Sequence, residues 1–384
     1  MRSLGPSYMV IPNNVFQQLS LATSGDPVCP QLQRLVWTSA LGWDPSRQFL
    51  SPRLVSVVFC HTKDIRVDLG LDSTISSLPT TYLERLRLTG FPRTAPIHSA
   101  LSKVVLRLNT CFKEIDAWSS LSDAAWGHLA SLPKLKSLSL SNTPSIEVLK
   151  SVLQEPTFPA LERMTLELDG RRPHFPVLFF LLKSSPLKAV TVSGSLRIRH
   201  VPSVVAIAVL KTELYRTINA LAFTGFHPTD LTFLSRLGPV LSHLGLFSSL
   251  RTLVCTTRCQ RLPQCVFPLT DSDIERLARG LSQLVTLRLG HKCACSYPNT
   301  TIKSMISLST HCPSLDTLYL PCNLTNISED VKMESGEPDP RVKTRSSCAL
   351  EILNLQWMIL PKDIEAFEVM KSALCHLFPR LKSP

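Results

Sequence analysis

One six-residue phrase recurs along the whole 384-residue chain and limits its possible folds more than any other feature. Leu or Ile holds its first position, and an apolar residue holds its fourth and sixth. It reads LQRLVW from Leu32, LVSVVF from Leu54, LERLRL from Leu83 and LSKVVL from Leu101. It continues as LKSLSL from Leu135, LERMTL from Leu161, LKAVTV from Leu187 and INALAF from Ile218. The last copies are LRTLVC from Leu250, LVTLRL from Leu284, LDTLYL from Leu315 and LEILNL from Leu350. These twelve copies start 18 to 35 residues apart, with a mean step near 29. A period in that range marks one supersecondary unit stacked many times, because a single unit cannot bury its apolar side alone.

Within the phrase the period is two, as in a strand. In LERLRL, Leu86 and Leu88 face one side while Arg85, Arg87 and Thr89 face the other. A strand phrase of this form at this period is the signature of leucine-rich repeats. The expected fold is therefore an α/β leucine-rich-repeat solenoid of about twelve repeats, with a curved parallel sheet inside and helices outside. Helical stretches separate the strands. Thr143-Pro144 opens one, with Ile146, Leu149, Val152 and Leu153 on a stripe. Thr270-Asp-Ser-Asp opens another ahead of Ile274, Leu277, Ala278 and Leu281, and 361–377 reads as a third. A Pro-x-Leu phrase closes several units at Cys29, Leu132, Phe158 and Cys312. Residues 1–31 form a lead-in segment, with Val15, Phe16, Leu19 and Leu21 in a short helix, and 32–384 form the repeat domain. Within it, 326–347 carries nine charges and two prolines and reads as an exposed charged loop.

The hydrophobic fraction of 44% is ample for a continuous core. A net charge of +12 and a pI near 9.3 favour an anionic partner, although charged residues make up only 18% of the chain. The segment from Met1 to Asn13 has no apolar secretory run. The apolar runs 176–182 and 204–210 fall short of the roughly 20 residues that a spanning helix needs. The expectation is an intracellular protein of cytoplasm or nucleus, with no membrane contact and with its twelve cysteines reduced. The sequons at Asn299, Asn323 and Asn326 would matter only in a secreted chain.

On this reading the concave face carries Arg34, Arg85, Arg87, Lys103, Arg107 and Arg163, six basic residues in the first half against one acid, Glu167. Guanidinium forks suit carboxylate and phosphate, so the expected partner is an acidic or phosphorylated protein. Nucleic acid ranks below protein, because the only aromatic platform on that face is Tyr319, far from the basic residues. No catalytic motif is visible: there is no G-x-S-x-G, no phosphate-cradling glycine loop and no H-E-x-x-H. A non-enzymatic role without cofactor follows as the expectation. The cysteine- and histidine-rich stretch contains Cys255, Cys259, Cys265, His291, Cys293, Cys295, His311, Cys312 and Cys322. Its Cys293-Ala-Cys295 pair is tighter than the usual zinc spacing, and Cys255 and Cys312 take ordinary apolar repeat positions, so no metal is expected.

The stretch from His311 to Leu381 resembles the C-terminal part of the basidiomycete F-box/leucine-rich-repeat family. The stretches VFQQLSLATSGDPVCPQLQRLVW from Val15 and FLSPRLVSVVF from Phe49 are similar to the region that follows the F-box in that family. Such a resemblance implies the substrate-recognition part of an SCF-type ubiquitin ligase, in which the F-box binds a Skp-type adaptor and the repeats hold the target. No F-box-like run precedes Leu32, so adaptor docking is expected only if an F-box lies outside this sequence. The alternatives are a free-standing repeat protein that binds an anionic partner, acidic protein or RNA, and a decayed member of the family.

Overall fold

The structure is a computed structural model of the chain. It describes residues 3–4, 13–24, 26–38, 44–61, 70–91, 94–117, 119–141, 157–168, 175–194, 214–226, 249–257, 267–291, 298–325, 348–354, 358–361 and 363–381. The chain divides into two compact units, Met1–Leu187 and Lys188–Pro384. The helix expected after Thr143 and the charged loop at 326–347 lie outside the described residues.

Among the described residues, the first unit contains seven parallel strands in chain order. They are β1 (Ser3–Leu4), β2 (Arg34–Thr38), β3 (Ser56–Cys60), β4 (Arg85–Thr89), β5 (Glu114–Ala117), β6 (Ser137–Ser141) and β7 (Arg163–Leu168). Helices α1 (Asn13–Ala22), α2 (Leu71–Ser76), α3 (Ala95–Val105), α4 (Asp123–Ser131) and α5 (Phe175–Leu181) belong to the same unit. Each strand joins its successor in parallel, which requires a crossover between them. Register aligns the inward residues into rows. One row runs Leu35, Val57, Leu86, Ile115, Leu138 and Met164, and all six are essentially inaccessible. Beside it run Trp37, Phe59, Leu88, Ala117, Leu140 and Leu166. Helical residues such as Leu101, Val104, Trp126 and Leu129 complete the core.

The second unit repeats the plan. Its main sheet pairs β8 (Ala189–Gly194), β9 (Ala220–Phe226), β10 (Thr252–Thr257), β12 (Thr286–His291), β14 (Thr317–Tyr319) and β16 (Ile352–Leu353) in parallel. Two small parallel pairs accompany it, β11 (Phe267–Thr270) with β13 (Pro298–Asn299) and β15 (Cys322–Asn323) with β17 (Met358–Ile359). Its helices are α6 (Asp271–Gly280), α7 (Ile302–His311) and α8 (Ile364–Leu377). The Thr270-Asp-Ser-Asp start is a full capping box, with the Thr270 hydroxyl accepting from Asp273 N–H and the Asp273 carboxylate accepting from Thr270 N–H at 2.9 Å. Asp271 then serves the next helix. Its carboxylate accepts from Thr301 N–H at 2.7 Å, from the Thr301 hydroxyl at 2.8 Å and from the Ser304 hydroxyl, so α6 supplies acceptors to the first turn of α7.

One backbone contact recurs at ten steps of the two main sheets. The carbonyl just before the strand accepts two N–H groups from the next turn of chain. In the first unit Gln33, Val55, Glu84, Lys113 and Lys136 do this, and in the second Lys188, Asn219, Arg251, Val285 and Asp316. Three residues before the leading Leu, a tight turn closes at Cys29, Leu132, Phe158 and Cys312, the Pro-x-Leu phrases. A side chain at that place can also reach back to the preceding turn: Ser51 donates to Pro30 O, Asn109 to Thr81 O, and the Cys312 thiol to Leu281 O.

Eleven of the twelve phrases open strands. LSKVVL does not: Leu101 to Val105 lie in α3, and the strand of that unit is Glu114–Ala117, opened by Phe112. Because alternate residues of β4 face opposite ways, Leu86→Ala should destabilise the protein by about 2–5 kcal/mol. Arg85→Ala, one residue away, should change stability by less than about 1 kcal/mol. Denaturant unfolding of both variants measures the contrast, and equal losses would contradict the pleat assignment.

Candidate functional site

The outward residues of the first unit form rows on the sheet face opposite the core. One row runs Arg34, Ser56, Arg85, Glu114, Ser137 and Arg163, and the next runs Val36, Val58, Arg87, Asp116, Ser139 and Thr165. Arg34, Arg85, Arg87 and Arg163 are exposed on this face, as expected. Their setting differs from the expectation. Arg87 reaches Glu114 at 3.3 Å and Asp116 at 3.2 Å, and Arg85 lies 4.0 Å from Glu114. Opposite charges directly across neighbouring strands stabilise a sheet, and each exposed pair contributes roughly 0.2–1 kcal/mol. Glu84 and Lys113, at the strand entrance, add a pair at 2.8 Å.

Lys103 and Arg107 are not on this face. Lys103 is exposed on α3, and Arg107 follows that helix and donates to Ser76 O at 2.6 Å. The cause is the misplaced strand: the residues beside β4 are Glu114 and Asp116, which carry the opposite sign. The face therefore holds four arginines and three acids (Glu114, Asp116 and Glu167) among the described residues, rather than a basic patch. Repeat spacing carried the signal. Steps of 29 and 23 residues through Phe112 are more even than the 18 and 34 through Leu101.

The outward face of the second unit is made mostly of short side chains. Its rows run Ala189, Ala220, Thr252, Thr286, Thr317 and Ile352, then Thr191, Ala222, Val254, Arg288 and Tyr319. Arg288 is the one charged residue in these described strand rows. Its guanidinium carbon sits 4.4 Å from the centre of the Tyr319 ring, a cation–π stack. The sequence shows both residues, but only the β12–β14 register places them side by side.

No protein-family profile matches the chain, and no curated protein matches it.

Among the described residues no group of three or more His, Cys, Asp or Glu side chains is placed to hold a metal ion. Cys259, Cys265, Cys293 and Cys295 lie outside those residues. The described thiols of this stretch are packed into the core. Burial pushes Cys255 far above the ordinary thiol range. Burial, then the neighbouring Cys348, pushes Cys312 up to about 12, and burial likewise pushes Cys322 up to about 12. His311, the last residue of α7, is held below the ordinary histidine range by partial burial and by Arg279, with Glu275 acting the other way. Thiolate is the reactive form, so a thiol at about 12 is roughly one part in ten thousand thiolate at pH 8. With iodoacetamide at pH 8, the exposed Cys111 and Cys375 should be alkylated first, and Cys255, Cys312 and Cys322 only after denaturant is added. Peptide mass spectrometry reads the order, and early labelling of Cys312 would contradict the packing.

Proposed function

We propose that the chain is a non-enzymatic protein-interaction module of leucine-rich-repeat type, whose outward strand faces hold a protein partner. One observation carries the reading. Consecutive strands in fixed register present rows of exposed polar and charged side chains on a rigid sheet, opposite a buried aliphatic core. Such a surface is suited to recognition, because its side chains are positioned before any partner arrives. On the first unit, Arg34 and Arg163 extend the row that contains the Arg85–Glu114 pair, so the complementary partner carries both signs, with acid opposite the arginines. No helix among the described residues is long and apolar enough to cross a membrane.

Within this proposal, the resemblance at 311–381 assigns the module to target recognition in an F-box ubiquitin ligase, with adaptor binding dependent on an F-box elsewhere. A free-standing repeat protein that binds an acidic protein is the second reading, favoured by the net charge of +12.

Two measurements test these readings. The tagged native protein should co-purify with a Skp-type adaptor if the ligase assignment is right. Its absence, with targets still retained, leaves the free-standing module. Arg85→Glu combined with Arg87→Glu places two more carboxylates beside Glu114 and Asp116, and should reduce target retention at least about tenfold while circular dichroism is unchanged. Undiminished retention would remove the first-unit face from the proposal.

A further inference from the structure

We propose that the outward face of the second unit docks a protein segment which sets one side-chain carboxylate against Arg288; this rests on the reading that the strand faces hold a protein partner. Arg288 is exposed on β12 and makes no ion pair among the described residues. It is nevertheless held in place. Its guanidinium carbon lies over the Tyr319 ring, 4.4 Å from the ring centre, and a cation–π contact of this kind leaves guanidinium N–H groups free to donate to an anion. This differs from Arg87, whose donors already meet Glu114 and Asp116 within the chain.

The surroundings select the ligand. Thr286 and Gly290 flank Arg288 along the strand, and Val254 lies across from it on β10. None is long enough to hold an incoming backbone away. No acid stands in the described strand rows of this unit, so within those rows the charge of Arg288 meets no anion, and a partner carboxylate would supply one. One guanidinium fork matches the two oxygens of one carboxylate. A phosphoryl dianion would keep one charge unmet, because those rows hold no second cation. The segment that fits is therefore extended, with small or apolar side chains around a single Asp or Glu. The net charge of +12 draws such an acidic segment in.

The test presents the full chain with a display library of random peptides about twelve residues long, then measures the selected peptides by titration. Selected peptides should share one Asp or Glu between small residues. Arg288→Gln should weaken them about tenfold or more, Tyr319→Leu should weaken them less, and replacing the peptide's acid by its amide should cost nothing further on the Arg288→Gln background. Peptides that bind Arg288→Gln as tightly as the parent would overturn the proposal, as would a preference for phosphoserine over Glu. Peptides lost only with Arg85→Glu and Arg87→Glu would overturn it and leave the wider reading standing. A library that enriches nothing would overturn both.

Discussion

The structure depends on one recurring backbone contact, the carbonyl at a strand entrance that accepts two N–H groups from the following turn of chain. The contact fixes where the next strand begins, and a shift of one residue would turn every side chain to the opposite face. Register then follows without further instruction. Leu86 meets Val57 and Ile115, Arg87 meets Val58 and Asp116, and the core and the exposed face are built from the same alternation. Side-chain donors from Ser51, Asn109 and Cys312 reinforce the link at the neighbouring turn. In the second unit Asp271 performs a similar service for the helices by capping the helix of the next repeat. Stability in such an array is a sum of contacts between neighbours, so each of these links matters mainly to the two turns it joins.

The same register governs the charges. Arg85 and Arg87, which would repel one another in a basic patch, sit instead beside Glu114 and Asp116 and pair with them within the chain. The price of this arrangement is one half-used carboxylate: Asp116 Oδ1 is buried without a hydrogen-bond partner while the other oxygen holds Arg87. The second unit takes a different course. Its strand rows are nearly free of charge, and their single guanidinium is steadied by an aromatic ring rather than by an acid.

Much of the fold was legible in the sequence, because aliphatic residues at fixed positions are a demand of burial. The phrases from Leu32, Leu83 and Leu284 mark their strands without help from the structure, and Thr270 with Asp273 marks a helix start. LSKVVL misled for a physical reason. Leu101 and Val104 stand three residues apart, a spacing shared by the phrase and by one face of a helix, and α3 uses it to bury both. The true strand offers weaker letters, since Ile115 and Ala117 are its only inward residues. The candidate site was less legible still. Lys103 and Arg107 followed the misplaced strand away from the face, and Glu114 and Asp116 were hidden with the real one. The pairing of Arg288 with Tyr319 joins residues 31 positions apart, and only strand register brings them together.

The turns near the end of the second unit use sulfur where Ser51 and Asn109 use oxygen and nitrogen. The Cys312 thiol points at the carbonyls of Ala278 and Leu281, and the Cys348 thiol at those of Cys312 and Leu315. A reduced thiol can donate to a carbonyl, but a sulfinate cannot: it is an anion with acceptor oxygens only. Oxidation to a sulfinate at either buried position would set like partial charges against each other between successive turns. The seam between these turns thus favours sulfur that still carries a proton to donate over a sulfinate.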